Sequence, residues 1–148
     1  MSTLADAPAW ARAMLRDARV GRLATADLRG RPLVVPVCFT LTGNVIYSAI
    51  DAKPKRDPSR PLRRVRNVLE NPQASLVVDE YDEDWTRLSY VIVEGTAAVM
   101  SAGDELARAI DALTEKYPQY CAMPLSQEPG SMIRLTVDRL VPWSWSTR

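Results

Sequence analysis

Between Lys53 and Arg66 the chain gathers Lys53, Lys55, Arg56, Arg60, Arg63, Arg64 and Arg66 against a single acid, Asp57. A segment of that kind is suited to binding an anion. Pro61 fits the first turn of a helix, and Leu62, Val65 and Leu69 recur on one face until Asn71-Pro72 stops it. Arg63 and Arg64 then fall opposite that apolar face, at a helix N-terminus whose free N–H groups and partial positive charge favour a phosphate. Arginine adds bidentate geometry and lysine a point charge, each worth about 1.5–3 kcal/mol at best as a charge-assisted hydrogen bond. The strand before this segment ends in Tyr47-Ser48, and the Ser48 hydroxyl can donate one more bond. A merely solvated basic face has the same composition, so charge alone does not decide between the two.

Other chemistry is narrowed by what the chain lacks. It contains no histidine, which removes imidazole metal ligands, histidine-activated nucleophiles and histidine general acids. Cys38 and Cys121 have neither the C-x-x-C spacing of a zinc or redox pair nor the density of a disulfide scaffold, and read as plain thiols. Asp79, Glu80, Asp82, Glu83 and Asp84 read as a solvated acidic turn rather than a catalytic dyad. Glu94 reads as an outward-facing residue of a strand.

The elements that must position these residues follow from periodicity. Ala7 to Asp17 reads as an amphipathic helix through Trp10, Met14 and Leu15. Val20–Ala26, Leu33–Leu41 and Val45–Ile50 read as three strands of an antiparallel meander, turned at Arg29-Gly30 and Gly43-Asn44. Pro54, Pro58 and Pro61 make the stretch from Asp51 a loop. Ala74–Val78 and a long strand Leu88–Met100, bent at Gly95, follow across the acidic turn. Asp104–Tyr117 places Leu106, Ile110, Leu113 and Tyr117 on one helical stripe, and Met132–Trp145 is a last strand.

About six strands and three short helices in 148 residues predict one domain, residues 1–148, mainly β with short helices (α+β), its sheet closed to remove exposed edges. With no apolar run long enough to span a bilayer and no secretory pattern at the start, the expected setting is cytoplasmic, with no membrane partner.

The order of these motifs carries a resemblance over nearly the whole chain. Arg22-Leu23-Ala24-Thr25, Val35-Pro36-Val37-Cys38-Phe39, Tyr47-Ser48, Arg63-Arg64 with Asn67 and Asn71-Pro72, Glu94-Gly95-Thr96-Ala97, and Arg139 with Trp143-Ser144 resemble the pyridoxamine phosphate oxidase-like split-barrel flavoproteins. The segment Lys116 to Tyr120 and the Trp-Ser ending are similar to the branch that binds the deazaflavin coenzyme F420.

The resemblance implies a six-stranded antiparallel split β-barrel of the FMN-binding type. It also implies a homodimer, with the cofactor ring over Val35, Pro36 and Val37 in the groove between two barrels and the phosphate near Tyr47, Ser48, Arg63 and Arg64. Lys53 and Lys55 depart from the family's pattern, because the proline-rich loop is longer here, and they are assigned to the phosphate or to the coenzyme's acidic tail. Trp143 corresponds to a terminal strand that reaches the groove, where a tryptophan serves either cofactor contact or packing. No catalytic side chain or metal ligand is implied. The cofactor would carry the hydride to a small-molecule substrate, while the protein orients both and excludes water.

The expected activity is therefore an F420-dependent reductase. An FMN-dependent oxidoreductase of the same fold is the alternative, followed by a non-catalytic module that holds cofactor or haem. Nucleic-acid binding through the basic segment is disfavoured, because no aromatics interleave the charges.

Overall fold

The computed structural model describes residues 3–50 and 60–146. Helix α1 (Ala9–Asp17) buries Ala11, Met14 and Leu15, as its spacing requires. Strands β1 (Gly21–Ala26) and β2 (Pro32–Val37) form a hairpin turned through Asp27 and Gly30, whose φ of +76° suits glycine. The Asp27 carboxylate accepts the N–H groups of Arg29 and Arg31 at 2.9 and 3.0 Å, which fixes the turn. A second hairpin joins β3 (Thr40–Thr42) to β4 (Val45–Ala49). After α2 (Arg63–Glu70) come β5 (Gln73–Glu80), a short 3-10 turn at Trp85–Arg87, and β6 (Ser89–Val99). Helices α3 (Asp104–Lys116) and α4 (Gln119–Ala122) precede β7 (Met132–Ser144).

The described residues form seven strands where the sequence suggests six. The single run Leu33–Leu41 breaks at Cys38-Phe39 into β2 and β3, and its halves do not pair with each other. The strand order is β2-β1-β5-β6-β7-β4-β3, so consecutive strands occupy opposite ends of the sheet. Only Cys38 and Phe39 join them, and three Cα steps reach at most about 11 Å. The antiparallel sheet therefore has to curl until its two ends meet, which is how a half-barrel arises and why the expected three-strand meander is instead two hairpins facing each other across a seam. At the seam the Tyr117 hydroxyl accepts the Phe39 N–H at 3.1 Å and lies 3.1 Å from the Phe39 carbonyl and 2.9 Å from that of Arg19. One side chain thus replaces the missing ladder partner.

The barrel interior is filled by Leu23, Phe39, Ile46, Leu76, Val78, Val91, Val93, Leu135 and Leu140, with α1 and α2 packed against it. A second apolar cluster lies under α3, from Tyr47, Leu106, Leu113, Tyr117, Tyr120 and Met132. The bend expected at Gly95 is present as a register shift between Glu94 and Gly95. A Cβ there would stand 2.0 Å from the Thr136 carbonyl oxygen, so only glycine fits. On α2 the buried residues are Val65, Asn67 and Val68, while Leu69 is 70% exposed and not part of the packed face. Steps of three and four both satisfy the helical period, and a hydrogen bond of 3.0 Å from Asn67 Nδ2 to Thr25 Oγ1 on β1 selects Val68. Among the described residues no helix is long and apolar enough to cross a membrane.

Candidate functional site

The first turn of α2 and the β1–β2 turn face each other across a groove of about 410 Å³ lined by Asp27, Arg31, Arg63, Arg66, Asn67 and Glu70. Three guanidinium groups converge there. Two carboxylates offset part of that charge: Asp27 is held by Arg31 Nε at 2.7 Å and by two backbone N–H groups, which keep it below its usual pKa, and Glu70 accepts the Leu28 N–H at 3.3 Å, so the lining keeps one positive charge in excess. Among the described residues Arg63 donates only to the Pro32 carbonyl, at 3.4 Å. No acid occupies the first turn of α2 and no side chain caps it. The excess positive charge and the uncapped helix start are complementary to a phosphate-sized anion.

The groove does not bring together the two adjacent arginines picked out by sequence. Arg63 is exposed in the groove, whereas Arg64, one residue on and a quarter-turn away, is half-buried and lines none of it. Arg66, at i+3 from Arg63, takes that place, together with Arg31 from the other element. Arg66 was legible from its spacing. Arg31 was not, because only the fold brings the hairpin turn to the helix.

Tyr47 and Ser48 lie on β4, beyond the groove's lining. Tyr47 is buried beneath α3 and donates its hydroxyl to Glu105 Oε2 at 2.7 Å, while Glu105 Oε1 accepts Arg134 Nη1 at 2.7 Å. Burial and then the Glu105 carboxylate push the Tyr47 phenol up to about 12, and the hydrogen bond from Tyr47 in turn lowers Glu105. This trio fastens α3 to the sheet. Ser48 is buried. Lys53 and Lys55 lie outside the described residues.

On β2, Val35 and Val37 belong with the barrel interior, and Pro36 is exposed on the other side. The face outside the barrel can be followed strand by strand. Pro36, Arg22, Val77, Ile92 and Val141 form one row, and Val34, Ala24, Ser75, Glu94 and Arg139 the next. Beyond them Trp143 stacks on Tyr90 with ring centroids 5.4 Å apart and planes 22° from parallel, leaving it 39% exposed. Ion pairs Arg22–Asp79 and Glu94–Arg139, both at 3.4 Å, cross a face otherwise open and largely apolar, with Val34 62% exposed.

Residues 8–144 match the family model described as pyridoxamine 5'-phosphate oxidase. The chain belongs to the pyridoxamine 5'-phosphate oxidase family. Within this oxidoreductase-type family it is 32% identical over 130 residues to the 5a,11a-dehydrotetracycline/5a,11a-dehydrooxytetracycline reductase of Streptomyces rimosus, covering 87% of this chain and 77% of that one. Among solved structures it is similar to the haem storage protein HutZ of Vibrio cholerae, with a TM-score of 0.69, 20% identity, and 88% and 89% of the two chains covered. It is also similar to a FAD-binding protein of Mesorhizobium loti, with a TM-score of 0.64, 21% identity, and 88% and 87% covered. The two structural likenesses establish the split-barrel fold of the family, here in its seven-stranded form.

Proposed function

We propose that this family member is a homodimeric reductase that takes hydride from reduced coenzyme F420 and delivers it to a small conjugated molecule. The observation that carries the reading is the 32% identity, over most of both chains, to a reductase whose named substrate is a dehydrotetracycline. The groove of Arg31, Arg63 and Arg66 supports it by fitting the coenzyme's phosphate, and the open face beside β2 supports it by offering Pro36, Val34 and Trp143 to a flat ring. When bound, the deazaflavin supplies the hydride. The chain's part is to hold the anionic end through the arginines, to fix the ring against an apolar wall, and to keep water from it once a second copy covers the face. Lys53 and Lys55, close in sequence to α2, are assigned to the phosphate or to the acidic tail.

FMN in place of the deazaflavin is the second reading, because both carry a tricyclic ring, a ribityl chain and a phosphate. Haem is a poorer fit. With no histidine in the chain, the axial ligand would fall to tyrosine or cysteine. The buried hydroxyls of Tyr47 and Tyr117 are already committed to hydrogen bonds, and Cys121 stands exposed on α4.

Titration of the purified protein with F420 and with FMN, followed by fluorescence, decides between the two. F420 is expected to bind more tightly, and replacing both Arg63 and Arg66 by alanine is expected to weaken it by roughly ten- to a hundredfold with an unchanged circular dichroism spectrum. Tight FMN binding with no response to F420 reverses the cofactor assignment, and unchanged affinity in the double variant moves the phosphate elsewhere.

A further inference from the structure

A second cleft, of about 530 Å³, opens between α1 and the ends of β1 and β5, and shares the Arg22–Asp79 pair with the outer face of the sheet. Its size suits a small organic molecule. Trp10, Ala13, Met14 and Val20 give it an apolar wall, and its charged groups are Asp17, Arg19, Arg22, Asp79 and Glu80. Both cations are engaged within the protein. Arg19 donates to the Lys116 carbonyl at 2.8 Å and lies 4.5 Å above the Tyr117 ring, and Arg22 pairs with Asp79. Asp17 is held by Arg16 at 2.9 Å. The nearby Lys116 ammonium is turned inward, 4.1 Å from the Phe39 ring. Glu80 is left as the carboxylate of this cleft with no hydrogen bond or ion pair among the described residues, and Asp82, Glu83 and Asp84 follow it in the chain.

We propose that this cleft binds a small amphipathic organic cation, its apolar body against Trp10 and Met14 and its protonated amine at Glu80. The lining carries three carboxylates, Asp17, Asp79 and Glu80, against the two guanidinium groups of Arg19 and Arg22, so charge complementarity favours the amine. The site is independent of the arginine groove and needs no redox cofactor, so its test does not depend on the proposed activity.

Phenethylammonium chloride, titrated into the 15N-labelled protein, is the probe. Amide and indole shifts are expected at Trp10, Ala13 and Val20, with no saturable shift from phenylacetate, which has the same ring and the opposite charge. The variant Glu80→Gln is expected to weaken the probe roughly three- to tenfold, and Glu83→Gln to leave it unchanged. Equal binding of phenylacetate, shifts clustered away from α1, no shifts at millimolar probe, or an unaltered affinity in Glu80→Gln would each overturn the assignment.

Discussion

Lys116 shows how one residue can work against the fold that holds it. Its Nζ is buried, has no hydrogen-bond partner among the described residues, and rests 4.1 Å from the Phe39 ring and 5.5 Å from that of Tyr117. The ring faces compensate in part for lost water. Burial, and then the positive charge of Arg19, lower its pKa from 10.5 to about 8, against weaker opposing contributions from Asp17 and Cys38. Below about pH 8 both folded and unfolded chains carry the proton and the penalty is present in full. Between pH 8 and 10.5 the unfolded chain holds more protons than the folded one, so this group adds stability as pH rises. Lys116→Met is therefore expected to be more stable than the parent at pH 7, on the order of 1 kcal/mol once screening of a half-exposed side chain is allowed for, and to lose the parent's gain between pH 7 and 9.5. Urea denaturation at several pH values reads both effects, and the window stops short of pH 10, above which Tyr47, raised to about 12, favours the unfolded chain instead.

At the scale of elements, the seam between β2 and β3 depends on a hydroxyl 78 residues away. Removing it in Tyr117→Phe leaves the ring in place but strands the buried Phe39 N–H, at a cost of about 1–3 kcal/mol. Hydrogen exchange at Phe39 and Thr40 is expected to accelerate by more than the global loss explains, because the ends of the sheet separate first. Uniform acceleration across the barrel would show that the hydroxyl is not what holds the seam. This seam also marks the boundary of what the sequence made legible. The hairpin turns at Gly30 and Gly43, the bend at Gly95 and the stripes of α1 and α3 are local signals, and each is present in the fold. Cys38-Phe39 carries no glycine or proline to announce a break, and its true partner, Tyr117, lies just past the end of α3. The same limit applied to the site. Arg63 was visible from helix geometry alone, whereas Arg31 joins it only through the β1–β2 turn, and the expected place of Tyr47 beside it gave way to a carboxylate 58 residues on.

For the whole molecule, the decisive question is what covers the outer face of β2, β1, β5, β6 and β7. Interior residues of a half-barrel alternate with outward ones, and in a water-exposed sheet the outward set is ordinarily polar. Here Val34, Pro36, Ala24, Val77, Ile92 and Val141 take those positions, with two ion pairs among them. A contiguous apolar patch of that kind marks an interaction surface. A second copy of the chain is the proposed occupant, since a dimer would bury this face and enclose a ring lying beside Pro36 and Trp143. Replacing Val34 and Ile92 together by lysine is expected to convert dimer to monomer by light scattering, because two unpaired charges would be buried at the interface. Neither side chain belongs to the interior, so the monomer should keep its circular dichroism spectrum and most of its thermal stability. It should also lose affinity for F420 although Arg31, Arg63 and Arg66 are intact, because the arginines hold only the anionic end and the ring needs the covered face. A monomeric variant with full coenzyme affinity would place the ring wholly within one copy, and a variant that remains dimeric would assign this face to some other partner.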